Sequence, residues 1–148
     1  MNQITWRKQM DLQYPPIDDE HQAFMKVVNK AQEAAQKDDF MCFNDIFEQC
    51  YEYARTHFPH EEDLMERISY PGLESHALSH QKFIQNISEL RQIYNQAKTL
   101  EEYRSIVRKT AHFLSAWFLG HILGKDRLYK PYLVRLRQLP PRMNYDSP

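Results

Sequence analysis

Apolar residues recur at three- and four-residue steps along almost the whole of this 148-residue chain, with no convincing two-residue alternation. That periodicity predicts amphipathic helices and excludes a sheet. A first helix is expected to open at Ile17-Asp18-Asp19-Glu20, whose acids suit a helix N-terminus, and to carry His21, Phe24, Val28, Ala31 and Ala35 inward to about Lys37. A second starts after Asp38-Asp39 and places Phe43, Phe47, Cys50, Ala54, His57, Glu61 and Leu64 on one stripe, ending near Ile68. Pro59 lies inside it and is expected to kink it. The third begins close to Leu73 with the face His76, His80, Phe83, Ile87, Leu90, Tyr94. Thr99, three residues before Glu102, forms a capping-box pattern for a fourth helix. Its buried face is Val107, Leu114, Trp117, His121 and Leu128, and Pro131 argues for its end.

Four such helices with short connections predict an all-α, up-down-up-down bundle. The domain is expected to span residues 1–131, with Met1–Pro16 as an extended arm and residues 132–148 as a tail. Arg135, Arg137 and Arg142 make that tail basic, while Tyr132, Leu133, Val134 and Leu136 are apolar enough to dock. A docked cover and a partner-binding segment both remain open for it.

Composition narrows the function classes. Three glycines, scattered at Gly72, Gly120 and Gly124, cannot build a phosphate-cradling loop. A formal charge of -1 gives no reason to expect nucleic acid or an anionic membrane. No apolar run reaches spanning length and the N-terminus lacks a signal-peptide core, so a soluble, cytoplasmic protein is expected. Cys42 and Cys50, if on one helix, are about 12 Å apart along its axis, too far for a disulfide.

The polar residues of the inner faces are not scattered. His57 and Glu61 are four apart, hence one turn apart on one face, and His76 and His80 repeat the spacing. His21 opens the first helix and His121 lies near the end of the fourth. At about 1.5 Å per residue, all of them fall in one layer at one end of an up-down bundle. Imidazole and carboxylate facing a core are costly unless paired or metal-bound. As a donor set they suit iron, zinc, manganese or copper. A structural zinc site is disfavoured because neither cysteine lies in this layer.

With Ile17-Asp18 followed by His21, His57-x-x-x-Glu61, His76-x-x-x-His80, and Trp117-x-x-x-His121-Ile122 followed by Asp126, the chain resembles hemerythrin. That family is an oxygen-binding di-iron four-helix bundle, and the likeness is strongest to its single-domain bacterial members, over Trp6 to about Tyr129. The resemblance implies two iron ions with an oxo or hydroxo bridge. His76, His80 and His121 would hold one, His21 and His57 the other, and Glu61 and Asp126 would span both. The two-histidine iron would then have an open position for molecular oxygen. Phe24, Phe58, Trp117, Phe118 and Ile122 would line the oxygen pocket. Phe24 and Phe118 stand where family members commonly have leucine, which either repacks the core or narrows the pocket.

Spacing alone does not choose Asp126, which lies five residues after His121 and about 140° around an ideal helix. Lys125, one turn on, cannot supply a bridging oxygen. Either the helix widens near Gly120 or Gly124, or Asp126 reaches round. Glu62 has a similar angular problem, so Glu61 is the expected bridge. His60, at the edge of the stripe, is expected at the surface, and His112, nearly opposite His121, outside the site.

The expected function is reversible oxygen binding for carriage, storage or delivery, without enzymatic activity and with an unknown recipient. The alternatives are a di-iron oxygen or redox sensor, or a redox enzyme handling peroxide or nitric oxide. No acid or base among the pocket residues favours catalysis.

Overall fold

A computed structural model describes residues 3–139. Four helices, α1 (Pro15–Gln36), α2 (Cys42–Arg67), α3 (Leu73–Gln96) and α4 (Leu100–Gly120), form an all-α bundle. α1 packs on α4 and α2, and α3 packs on α2 and α4, so consecutive helices are neighbours and the ring closes. Among the described residues no helix is long and apolar enough to cross a membrane.

Local chemistry explains the ends. α1 starts two residues earlier than the acidic run suggests, with proline in its first positions, where a missing N–H costs nothing. Asp18 lies in its first turn and accepts from the Leu12 and Tyr14 backbone N–H groups at 2.9 Å each, tying the arm to the helix. Burial raises the Asp18 carboxyl, partly offset by those two donors. α4 opens on the expected capping box: Glu102 N donates to Thr99 Oγ1 at 3.1 Å, and Thr99 N donates back to Glu102 Oε2 at 3.3 Å. Between α2 and α3, a Cβ on Gly72 would lie 2.5 Å from the Tyr70 hydroxyl, so glycine lets that ring fold over the turn. α2 runs unbroken through Pro59.

The arm is packed rather than free. Ile4 exchanges two hydrogen bonds with the Asn29 side chain, and Met10 and Leu12 are buried. At the other terminus, Lys130–Gln138 forms a 3-10 helix folded onto the same end of the bundle. Arg135 donates to the carbonyls of Ile68 and Ser69, and Lys130 to that of Asp11. Its Tyr132, Leu133 and Leu136 pack against Leu12, Ile17, Leu64, Met65, Ile68 and Tyr129. Arg142 lies outside the described residues. Cys42 and Cys50 are free thiols, and burial raises Cys50 above the ordinary thiol range.

The core therefore comes in two parts. A large cluster, holding Phe24, Phe58, Phe83, Phe118 and Ile122, fills most of the bundle, and the smaller one closes its end. Between them on each helix sits the polar layer: His21 between Ile17 and Phe24 on α1, and Glu61 between Phe58 and Leu64 on α2.

The fourth helix departs from the expected regular course. α-Helical geometry stops at Gly120, and His121–Asp126 is a π-helix, followed by a short α-turn at Arg127–Tyr129. In a π-helix the backbone bonds to the fifth residue on, which brings residues five apart onto one side. That is the widening one of the two sequence alternatives requires.

Candidate metal centre

His21, His57, Glu61, His76, His80, His121 and Asp126 are all buried, and the fold brings them together. Glu61 divides its oxygens. Oε1 lies 2.9 Å from His76 Nε2 and 3.1 Å from His80 Nε2, whereas Oε2 lies 3.3 Å from His21 Nε2 and 3.4 Å from His57 Nε2. Asp126 divides its oxygens the same way: Oδ1 is 3.0 Å from His76 and 3.1 Å from His121, and Oδ2 is 3.0 Å from His21. Two sets of donor atoms each converge within 4.8 Å, Glu61 with His76, His80 and His121, and Glu61 with His21 and His57.

The donors face common points rather than one another. His21 Nε2, His57 Nε2, Glu61 Oε1 and both Asp126 oxygens are fully enclosed and make no hydrogen bond of proper geometry. His121 Nε2 sits 3.1 Å from His76 Nε2 and 3.2 Å from His80 Nε2, three imidazole nitrogens crowding one spot. Buried polar atoms left in this state are costly, and a cation at each convergence would satisfy those that face it.

Residues 14–133 match the family model of the hemerythrin HHE cation binding domain. The chain belongs to the hemerythrin family. It is 32% identical over 133 residues to a bacteriohemerythrin of Clostridium acetobutylicum, covering 85% of this chain and 98% of that one. It is 27% identical to a myohemerythrin of Riftia pachyptila, covering 85% and 90%. A crystal structure of wild-type hemerythrin shares the fold with a TM-score of 0.74 at 23% identity, covering 89% and 98%. One of a leucine-to-tyrosine hemerythrin mutant does so at 0.75 and 24%, covering 90% and 98%.

In this hemerythrin the rings of the cluster are held from behind. Phe58 stacks flat on His80 at 3.9 Å, Trp117 on His121 at 4.5 Å and Tyr53 on His57 at 4.5 Å. Glu20 accepts from His57 Nδ1, and Glu62 from His80 Nδ1, both at 2.8 Å. Such carboxylates would fix which nitrogen faces a bound metal and make the ring a stronger donor. Tyr129 donates its hydroxyl proton to Glu61 Oε2 at 3.0 Å. Ser79 Oγ lies 3.4 Å from His121 Nδ1. Phe58 and Trp117 were expected here as pocket residues and Glu62 only as a bridge set aside on its angle; Glu20, Tyr53, Ser79 and Tyr129 were not expected at the site from sequence. Glu20 and Glu62 each adjoin a residue of the cluster in the chain, which is the one local signal they carry. His60 points its Nδ1 at Glu20, and His112 is exposed on α4.

Protonation follows from the same geometry. Burial works against a charged His21, but Asp126 and Glu61 outweigh it and raise the ring to about 10. His76 rises to about 9 for the same reason, again against burial. Despite their burial, Glu61 and Asp126 are held well below the usual carboxylate range by the surrounding histidines. In the metal-free protein the raised histidines contribute stability that is complete below their ordinary 6.5 and disappears as pH rises through about 9 to 10. The lowered carboxylates contribute above their ordinary range and lose that contribution in acid. Thermal unfolding of metal-free protein should therefore show a melting temperature that declines from pH 6.5 towards pH 10. Metal needs neutral rings, so loading at neutral pH should release protons, measurable in weakly buffered solution, and should remove that alkaline decline.

Proposed function

We propose that this hemerythrin is a non-haem di-iron protein that reversibly binds oxygen, serving carriage, storage or delivery rather than turnover. The observation that carries the reading is the pair of unequal half-sites, three imidazoles against two, sharing the divided oxygens of Glu61 and Asp126. His76, His80 and His121 would hold one iron, and His21 and His57 the other, each ion also meeting both carboxylates. Bound iron would supply the electrons and the open coordination position that molecular oxygen requires.

The chain's own part is enclosure and orientation. Phe24, Phe58, Phe118 and Ile122 are buried beside the cluster, Trp117 is half-buried, and the Phe24 and Phe118 rings lie 6.3 Å apart. Phe58 packs against His57 and His80 and Trp117 against His121, and none of these wall residues is itself an acid or base. A groove of about 230 Å³ between α1 and α2, lined by Phe24, Val27, Tyr53 and His57 with Glu20 and Glu52 at its sides, lies beside the two-histidine half. A small, neutral diatomic molecule suits the apolar wall of Phe24, Phe58, Phe118 and Ile122 better than a charged substrate does.

Iron-loaded, reduced protein should contain two irons per chain. Its visible spectrum should gain a ligand-to-iron charge-transfer band under oxygen and lose it when oxygen is removed. Two irons that oxidise with no reversible band would overturn oxygen binding in favour of redox catalysis or sensing.

A further inference from the structure

Each half of the cluster has one histidine backed by a carboxylate, and the two backings differ. Glu62 meets His80 at 2.8 Å. Glu20 meets His57 at the same distance but is also gripped from the solvent side, where His60 Nδ1 lies 3.1 Å from Oε1 and 3.0 Å from Oε2. An ionised carboxylate only accepts, so His60 donates from Nδ1 whether its ring is neutral or charged.

We propose that His60 is a positioning residue that clamps Glu20 against His57 and so retains the metal of the two-histidine half. The proposal rests on the two-metal reading above. The Glu20 side chain is 32% exposed and that of His60 16%, so without its outer partner the flexible glutamate would turn towards water. His57 and His60 are one turn apart on α2, while Glu20 comes from α1 and directly precedes His21. The clamp therefore joins the two helices at the residues that present both histidines of this half. The other half, with three histidines, has no part in it.

Groups backing a metal-bound histidine are worth about 10- to 100-fold in metal affinity. The test follows iron loss from anaerobic, ferrous-loaded protein mixed with a chelator that colours on binding iron(II). His60→Ala should release one iron per chain about 10-fold faster than wild type, leaving the second iron at the wild-type rate. His60→Phe, which keeps a ring without the donor, should do the same. His60→Asn returns an N–H near the Nδ1 position and should restore slow release. Glu62→Gln should hasten loss from the other half instead. Two irons leaving His60→Ala and His60→Phe at wild-type rates, or both accelerated equally, would overturn the clamp alone. A single iron per wild-type chain would overturn the two-metal reading and the clamp with it.

Discussion

With Glu61 replaced by glutamine, the chain is expected to lose both metals at iron concentrations that saturate the wild type, an affinity loss on the order of 100-fold or more. The reason is the division of labour between its oxygens. Oε1 faces His76 and His80, and Oε2 faces His21 and His57. An amide offers one neutral oxygen, and its NH₂ would turn a donor towards a convergence of metal-binding nitrogens. His57 Nε2 and His80 Nε2 are left without a facing carboxylate, because Asp126 reaches only His21, His76 and His121. The rise in melting temperature that metal gives the wild type should vanish with the binding. Metal-free Glu61→Gln should also keep more of its stability at alkaline pH, because one of the charges that raise His21 and His76 is gone. His112→Ala, at an exposed position on α4, should bind iron as the wild type does. Iron per chain, with helicity as the check on folding, decides the matter. Two irons retained by Glu61→Gln would remove it from the centre of the site.

The second large effect concerns the π-helix. Asp126→Ala should likewise bind iron about 100-fold more weakly, since Glu61 alone would then span the two halves and His121 would lose its nearest carboxylate, 3.1 Å away against 4.0 Å for Glu61. Adding Lys125→Asp separates two explanations. Were His121–Asp126 an ordinary α-helix, an aspartate at 125 would sit one turn beneath His121 and would substitute for the lost ligand. In the π-helix it does not, and Lys125 instead donates to Ser75 Oγ at the surface. The double variant is therefore expected to bind no better than Asp126→Ala. Recovery of two irons and of the reversible charge-transfer band would show that the segment can return to α-helical register.

The helices were legible because their causes are local. The inner face of α3, the capping box at Thr99 and Glu102, and the four-residue spacing of His57 to Glu61 and His76 to His80 each need only a few neighbouring residues. The supporting groups were not legible. Glu20 and His57 are 37 residues apart, and Tyr129 and Glu61 are 68 apart. No periodicity within one helix reports what a second helix presents to it.

Sequence alone thus determined which helices form, which faces turn inward as far as His121, and that five histidines and Glu61 meet in one layer, because helical spacing and amphipathicity act over a turn or two. Beyond the π-helix the register changes, and Leu128, expected inside, is exposed while Tyr129 is buried. The role of Asp126 reached that reading through resemblance, its angle on a regular helix being wrong. Only the tertiary structure decided how it gets there. Space is open around a Cβ at Gly120 or Gly124, so nothing in their local packing demands glycine for the widened turn. What accompanies the π-helix is the far end of the interaction: its buried carboxylate lies beside His121 of the same segment and meets His21 and His76, brought from two other helices. The same holds for the sharing of Glu20 between His57 and His60. Both are electrostatic contacts between helices, and they exist only once the bundle has closed.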